Sequence, residues 1–69
     1  MDKLAATRSG KVWAVTHHAG SVSLYRARTE ASAYRKALLD YGRNGCPYRA
    51  TTDLDEVEFA YSVGAIINE

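Results

Sequence analysis

The sequence predicts an α+β domain: a four- or five-stranded antiparallel sheet with one helix on one face, in the order β-β-α-β-β. Three observations carry that prediction. Residues 12–28 hold two β-rich stretches hinged at Ala19-Gly20, residues 29–41 repeat apolar side chains at helical spacing, and residues 48–63 return to period two. With 69 residues, 46% of them hydrophobic, the chain has room for one domain over one small core, spanning 1–69, with residues 1–10 expected to be flexible or loosely packed.

Gly10 and Lys11 lead into Val12-Trp-Ala-Val-Thr-His-His, rich in β-branched and aromatic residues. Ser21-Val-Ser-Leu-Tyr-Arg-Ala-Arg then sets Val22 and Leu24 against Ser21, Ser23 and Tyr25, and Gly20 supplies the positive φ of a short hairpin loop. Thr29 offers an N-cap and Glu30 an acid in the first turn, while Tyr34, Ala37, Leu38 and Tyr41 fall at i, i+3, i+4 and i+7. A helix over 29–41 follows, with Gly42 as its terminator. The breaker cluster Gly42-Arg-Asn-Gly-Cys-Pro ends in Pro47, and a strand begins at Tyr48.

Asp53-Leu-Asp turns the chain into Val57, Phe59, Tyr61 and Val63, which hold period two. A helix from Asp53, capped by Thr52 or Asp53, is the rival; the strand is preferred because it gathers the large side chains on one face. Ala65-Ile-Ile adds a short last strand or tucks against the core. The expected core is Val22, Leu24, Tyr34, Ala37, Leu38, Phe59 and Tyr61. Because a single helix covers a single face, Tyr25 and one set from the first strand, Trp13 with Val15 or Val12 with Ala14, are expected to look outward. An open sheet face with aromatic groups suits a binding surface, or the seam of a weak homodimer.

The formal charge of +1 hides a division. All nine basic residues lie at or before Arg49, against Asp2, Glu30 and Asp40, a net +6; beyond it come Asp53, Asp55, Glu56, Glu58 and Glu69 with no base, a net −5. Part of this charge is expected to pair across neighbouring strands.

Catalytic, metal and cofactor signatures are weak, and the chain reads as a non-enzyme with no cofactor. Ser9-Gly10-Lys11 resembles the end of a phosphate-binding loop, but the leading glycine is missing and Val12 stands where a magnesium-holding hydroxyl belongs. His17 and His18 are adjacent, so on a strand they point to opposite faces and read as exposed imidazoles at the end of a hairpin, not as a metal pair. Cys46 is the one cysteine; no disulfide can form within the chain, and a buried inert thiol is a commoner use than a nucleophile. Asp53, Asp55, Glu56 and Glu58 lack the glycine and spacing of a calcium loop. No stretch resembles a signal peptide or reaches the ~20 apolar residues of a membrane span, so the expected setting is the cytoplasm, with no membrane partner.

Direct RNA or DNA binding is the alternative to a protein interface. Arg26 and Arg28 on one strand, Arg49 on another, and Arg35, Lys36 and Arg43 around the helix interleave with Trp13, Tyr25 and Tyr48, so phosphate contact and base stacking are both conceivable chemistries. The Lys/Arg-Gly-aromatic pattern of an RNA-recognition strand is absent, and the acidic segment opposes a polyanion.

The hairpin-helix order, with Lys11-Val-Trp-Ala-Val-Thr opening the sheet and Ser23-Leu-Tyr-Arg-Ala-Arg-Thr-Glu-Ala leading into the helix, resembles the small bacteriophage inhibitors of host machinery. One group is the podophage inhibitor of host RNA polymerase, similar over residues 11–42; where that group carries a strand with spaced arginines, this chain has Arg49 alone before turning acidic. The other is the short anti-CRISPR proteins of type I systems, similar in size and strand order, with no residue motif to transfer. The resemblance implies an inhibitor in the host cytoplasm that blocks a nucleic-acid-processing complex by protein–protein contact. The residues expected to form that contact are Trp13, Tyr25, Arg26, Arg28, Arg49, Asp53, Asp55, Glu56 and Glu58.

Overall fold

The computed structural model describes residues 11–69. The looseness expected of residues 1–10, the loop-like Ser9-Gly10 and the placement of the Arg43 side chain lie outside what it describes. The elements are β1 (Lys11–His17), β2 (Val22–Ala27), α1 (Glu30–Leu39), a single turn α2 (Tyr41–Asn44), β3 (Pro47–Thr51), α3 (Leu54–Ser62) and β4 (Ile67–Asn68). The fold is α+β with a four-stranded mixed sheet in the order β3-β1-β2-β4.

The hairpin forms as its pattern predicts. β1 and β2 pair antiparallel with Ala14 opposite Leu24 and Thr16 opposite Val22, and Gly20 takes φ +95 in the loop, a region that side chains with a Cβ avoid. β3 pairs antiparallel with the other edge of β1, the register slipping between Thr16 and His17. β4 runs parallel to β2, so the sheet is not purely antiparallel. Asn68 Nδ2 donates to the Leu24 carbonyl at 2.9 Å, and Lys36 Nζ donates to main-chain oxygens of both Arg26 and Glu69 at 2.6 Å; together they fasten that strand.

α1 is capped as expected: the Thr29 hydroxyl accepts from Ser32 N–H at 3.1 Å. Its end is different. The chain leaves α1 at Asp40 and makes the turn α2, so Gly42 lies inside a helical turn and does not terminate the long helix.

The largest correction concerns residues 57–63, expected as a strand: residues 57–62 belong to the helix α3, and Val63 is its C-cap. The Asp53 carboxylate accepts the Asp55 N–H at 3.1 Å, and Asp55 and Glu56 occupy the first turn, where the helix dipole favours negative charge. Only Val57 and Ala60, one turn apart, face inward. The exit is a Schellman closure: Gly64, at φ +110, donates its N–H to the Tyr61 carbonyl, and Ala65 N–H reaches back to the Ala60 carbonyl at 3.0 Å.

That second helix removes the open sheet face. α1 packs on one side, where Ala33 and Ala37 meet Val15, Tyr25 and Ala27, with Trp13 partly covered. α3 packs on the other, where Val57 and Ala60 meet Val12, Ala14 and Leu24. Both sets of β1 side chains are therefore covered to some degree, and Tyr25, expected outward, is buried. Of the expected core, Leu24 and Ala37 are buried, Tyr34 is half-buried, and Val22, Leu38, Phe59 and Tyr61 are exposed. The core is built instead on small residues, because alanines let two helices approach a narrow sheet closely. β1 ends at His17, so His18 lies in the turn and the two do not share a strand; His17, expected exposed, is fully buried, its Nδ1–H donating to the Gly45 carbonyl at 3.0 Å, while His18 lies exposed against the Tyr48 ring. No helix among the described residues is long and apolar enough to cross a membrane.

Candidate functional site: the acidic helix and the groove beside it

The nine residues singled out for partner contact are not brought to one place. Trp13 and Tyr25 lie under α1: the Trp13 indole N–H donates to the Ala27 carbonyl at 2.9 Å, and the Tyr25 hydroxyl to Asp40 Oδ2 at 2.7 Å. Arg26 lies on the opposite face at the far end of β2, 7% exposed, its Nε 3.4 Å from the Glu69 carboxylate. Arg28 is exposed just past the end of β2.

Of the four acids 53–58, Glu56 meets Arg49 directly and Asp53 acts on it electrostatically. Arg49 sits opposite Thr16 in the sheet and so projects on the α3 side, where its two terminal nitrogens grip the two oxygens of Glu56, each at 2.6 Å. This forked pairing lowers the Glu56 carboxyl below the usual glutamate range and raises the Arg49 guanidinium, chiefly through the hydrogen bonds themselves. The Asp53 carboxylate is used as the N-cap. Asp55 and Glu58 are exposed, with no basic side chain bound to either among the described residues. Of the three arginines a polyanion would use, Arg26 and Arg49 are thus each engaged by a carboxylate from the acidic part of the chain.

A groove of about 450 Å³ opens beside these acids. α3 crosses the sheet without covering the tip of the hairpin, leaving Val22 exposed and Thr16 half-buried on the α3 side next to Gly20. Ala14 and Ala60 form its base, and Phe59 and Val63, one helical turn apart, form its far wall. Asp55 and Glu56 stand at its mouth. Phe59 is 69% exposed and Val63 68%, so large apolar surface is offered to solvent along one line of the helix.

The residues missed by the sequence reading are those of this groove: Thr16, Val22, Phe59 and Val63. Read as a helix, residues 55, 59 and 63 recur at i, i+4 and i+8, a stripe separate from the buried pair 57 and 60, and that stripe is the signal that could have found them. Among the described residues no group of three or more His, Cys, Asp or Glu side chains converges on a metal position. Cys46 is half-buried, its thiol 3.5 Å from the Pro47 carbonyl. In comparison with known proteins, no family model, no curated protein and no solved structure matches the chain.

Proposed function

We propose that the protein is a small, non-catalytic inhibitor of the bacteriophage type, which binds a protein of the host's nucleic-acid machinery in the cytoplasm and blocks it by contact. The observation that carries this reading is the acidic first half of α3, where Asp53, Asp55 and Glu58 face solvent next to exposed Phe59 while Arg49 is neutralised by Glu56. A surface of that sign suits a basic groove that normally holds DNA or RNA, and complementary charge of this kind speeds association and selects the partner. A type I CRISPR surveillance complex and RNA polymerase are the partners the resemblance favours.

The test pairs affinity capture from bacterial lysate with a salt-titrated oligonucleotide binding assay. Capture of either complex, lost when Asp53, Asp55 and Glu58 are changed together to Asn, Asn and Gln in a chain that keeps its circular dichroism, supports the proposal. Tight oligonucleotide binding that weakens steeply with salt and needs Arg26, Arg28 and Arg49, with neither complex captured, would sink it in favour of a nucleic-acid-binding module.

A further inference from the structure

We infer that the groove between the hairpin tip and α3 is an anchor pocket for a cationic segment of a partner protein, which inserts one large apolar side chain between Val22 and Phe59. The inference rests on the acidic-surface reading above for the sign of the partner and adds the chemistry of its contact.

Three features select that occupant. At about 450 Å³ the groove lies within the roughly 300–1,000 Å³ usual for ligand pockets, room enough for one large side chain. Its lining is almost wholly apolar, so what enters must be apolar to gain from desolvation. Among the described residues the charged groups lining it are carboxylates: Asp55, which makes no ion pair there, and Glu56, already held by Arg49. Basic side chains flanking the anchor would meet Asp55 at the mouth. An acidic segment would meet repulsion there. A central apolar anchor in a pocket with a polar rim is also how a few residues supply most of the affinity of a protein interface.

The experiment is a backbone amide NMR titration of the full chain with synthetic peptides of about a dozen residues. One set carries Lys and Arg around a central Leu, Phe or Trp; a second replaces the anchor by Gly; a third keeps the anchor and replaces the basic residues by Glu. The basic anchored set is expected to shift Ala14, Thr16, Val22 and Ala60. Loss of the anchor is expected to weaken binding about 10- to 100-fold, the worth of one large buried side chain. Phe59→Ala and Val63→Ala should each weaken the anchored peptides, whereas Leu39→Ala, exposed at the end of α1, should not. Binding independent of the anchor, with shifts confined to 53–58, overturns the pocket while leaving the acidic surface standing. Equal binding of the acidic anchored set, or no shift with any peptide at millimolar concentration, also overturns it. Binding in the groove while capture ignores the Asp53, Asp55 and Glu58 changes overturns the functional proposal instead.

Discussion

Tyr25 and Asp40 are joined by a 2.7 Å hydrogen bond that ties the middle of β2 to the residue closing α1. The phenol ring is buried under α1, and its hydroxyl reaches the half-buried carboxylate at the helix end. Buried tyrosines need such a partner, and a charged acceptor makes the bond stronger than a neutral one. Tyr25→Phe is expected to cost about 1–2 kcal/mol and Tyr25→Ala about 3–5 kcal/mol in urea unfolding. Any loss of partner binding in Tyr25→Ala should therefore track the unfolded fraction, measured on the same sample.

Neighbouring positions of α3 should respond oppositely to truncation. Val57→Ala, at a fully buried site, is expected to cost about 1.5–3 kcal/mol, and Phe59→Ala, at an exposed one, less than about 0.5 kcal/mol. On a strand both would share a face and both would be costly. Chemical denaturation of the two variants separates these outcomes, and near-equal large losses would contradict the helix.

What the sequence revealed and what it hid follow from the same two helices. The hairpin was legible because Gly20 and the alternation of Val22 and Leu24 are local signals, and the start of α1 because Thr29 is a local cap. α3 was hidden because its largest side chains, Phe59, Tyr61 and Val63, are exposed; their period-two spacing belongs to solvent and groove, while small Ala60 makes the core contact. Its ends were marked more honestly than its middle, by Asp53 before the acids and by Gly64 after the last turn. The run Val12-Trp-Ala-Val also carried the sign of a strand covered on both faces, since a half-exposed strand would alternate with polar residues. The acidic half of the site was readable from charge alone. The groove was not, because it exists only once α3 lies across the hairpin.

The Arg49–Glu56 fork makes stability pH-dependent with a definite sign. Glu56 titrates lower when folded than when unfolded, because of the hydrogen bonds from Arg49. The pair therefore stabilises the fold at neutral pH, and that contribution disappears as pH falls through the ordinary glutamate range of about 4.3 and past the lowered folded value. Melting temperatures of the parent and Glu56→Gln should differ most near neutrality and converge in acid. The gap should also shrink in high salt, since both side chains are exposed to screening.

His17 is fully buried, and its Nδ1–H holds the Gly45 carbonyl, where Gly45 takes φ +85 after α2. His17→Ala empties that site and leaves the carbonyl without its donor, an expected loss of about 2–4 kcal/mol. His17→Asn, whose amide can donate in place of Nδ1, should recover part of it. Hydrogen exchange at Gly45 should quicken in the first variant more than in the second. His18→Ala, at the exposed neighbour, should leave both stability and exchange near the parent values.

The position of β4 beside β2 also sets the order of assembly. Arg26 and Glu69, which meet at that edge, are 43 residues apart in the chain, whereas the β1–β2 hairpin closes across a short loop. Closing a loop of that length costs about 3 kcal/mol of chain entropy, against which a two-residue parallel ladder offers little until α1 and α3 have already narrowed the search. β4 is thus expected to dock late, after the rate-limiting step. Loosening it, as by Asn68→Ala, should speed unfolding and leave the refolding rate almost unchanged, which makes this two-residue edge a determinant of how long the native state persists once formed.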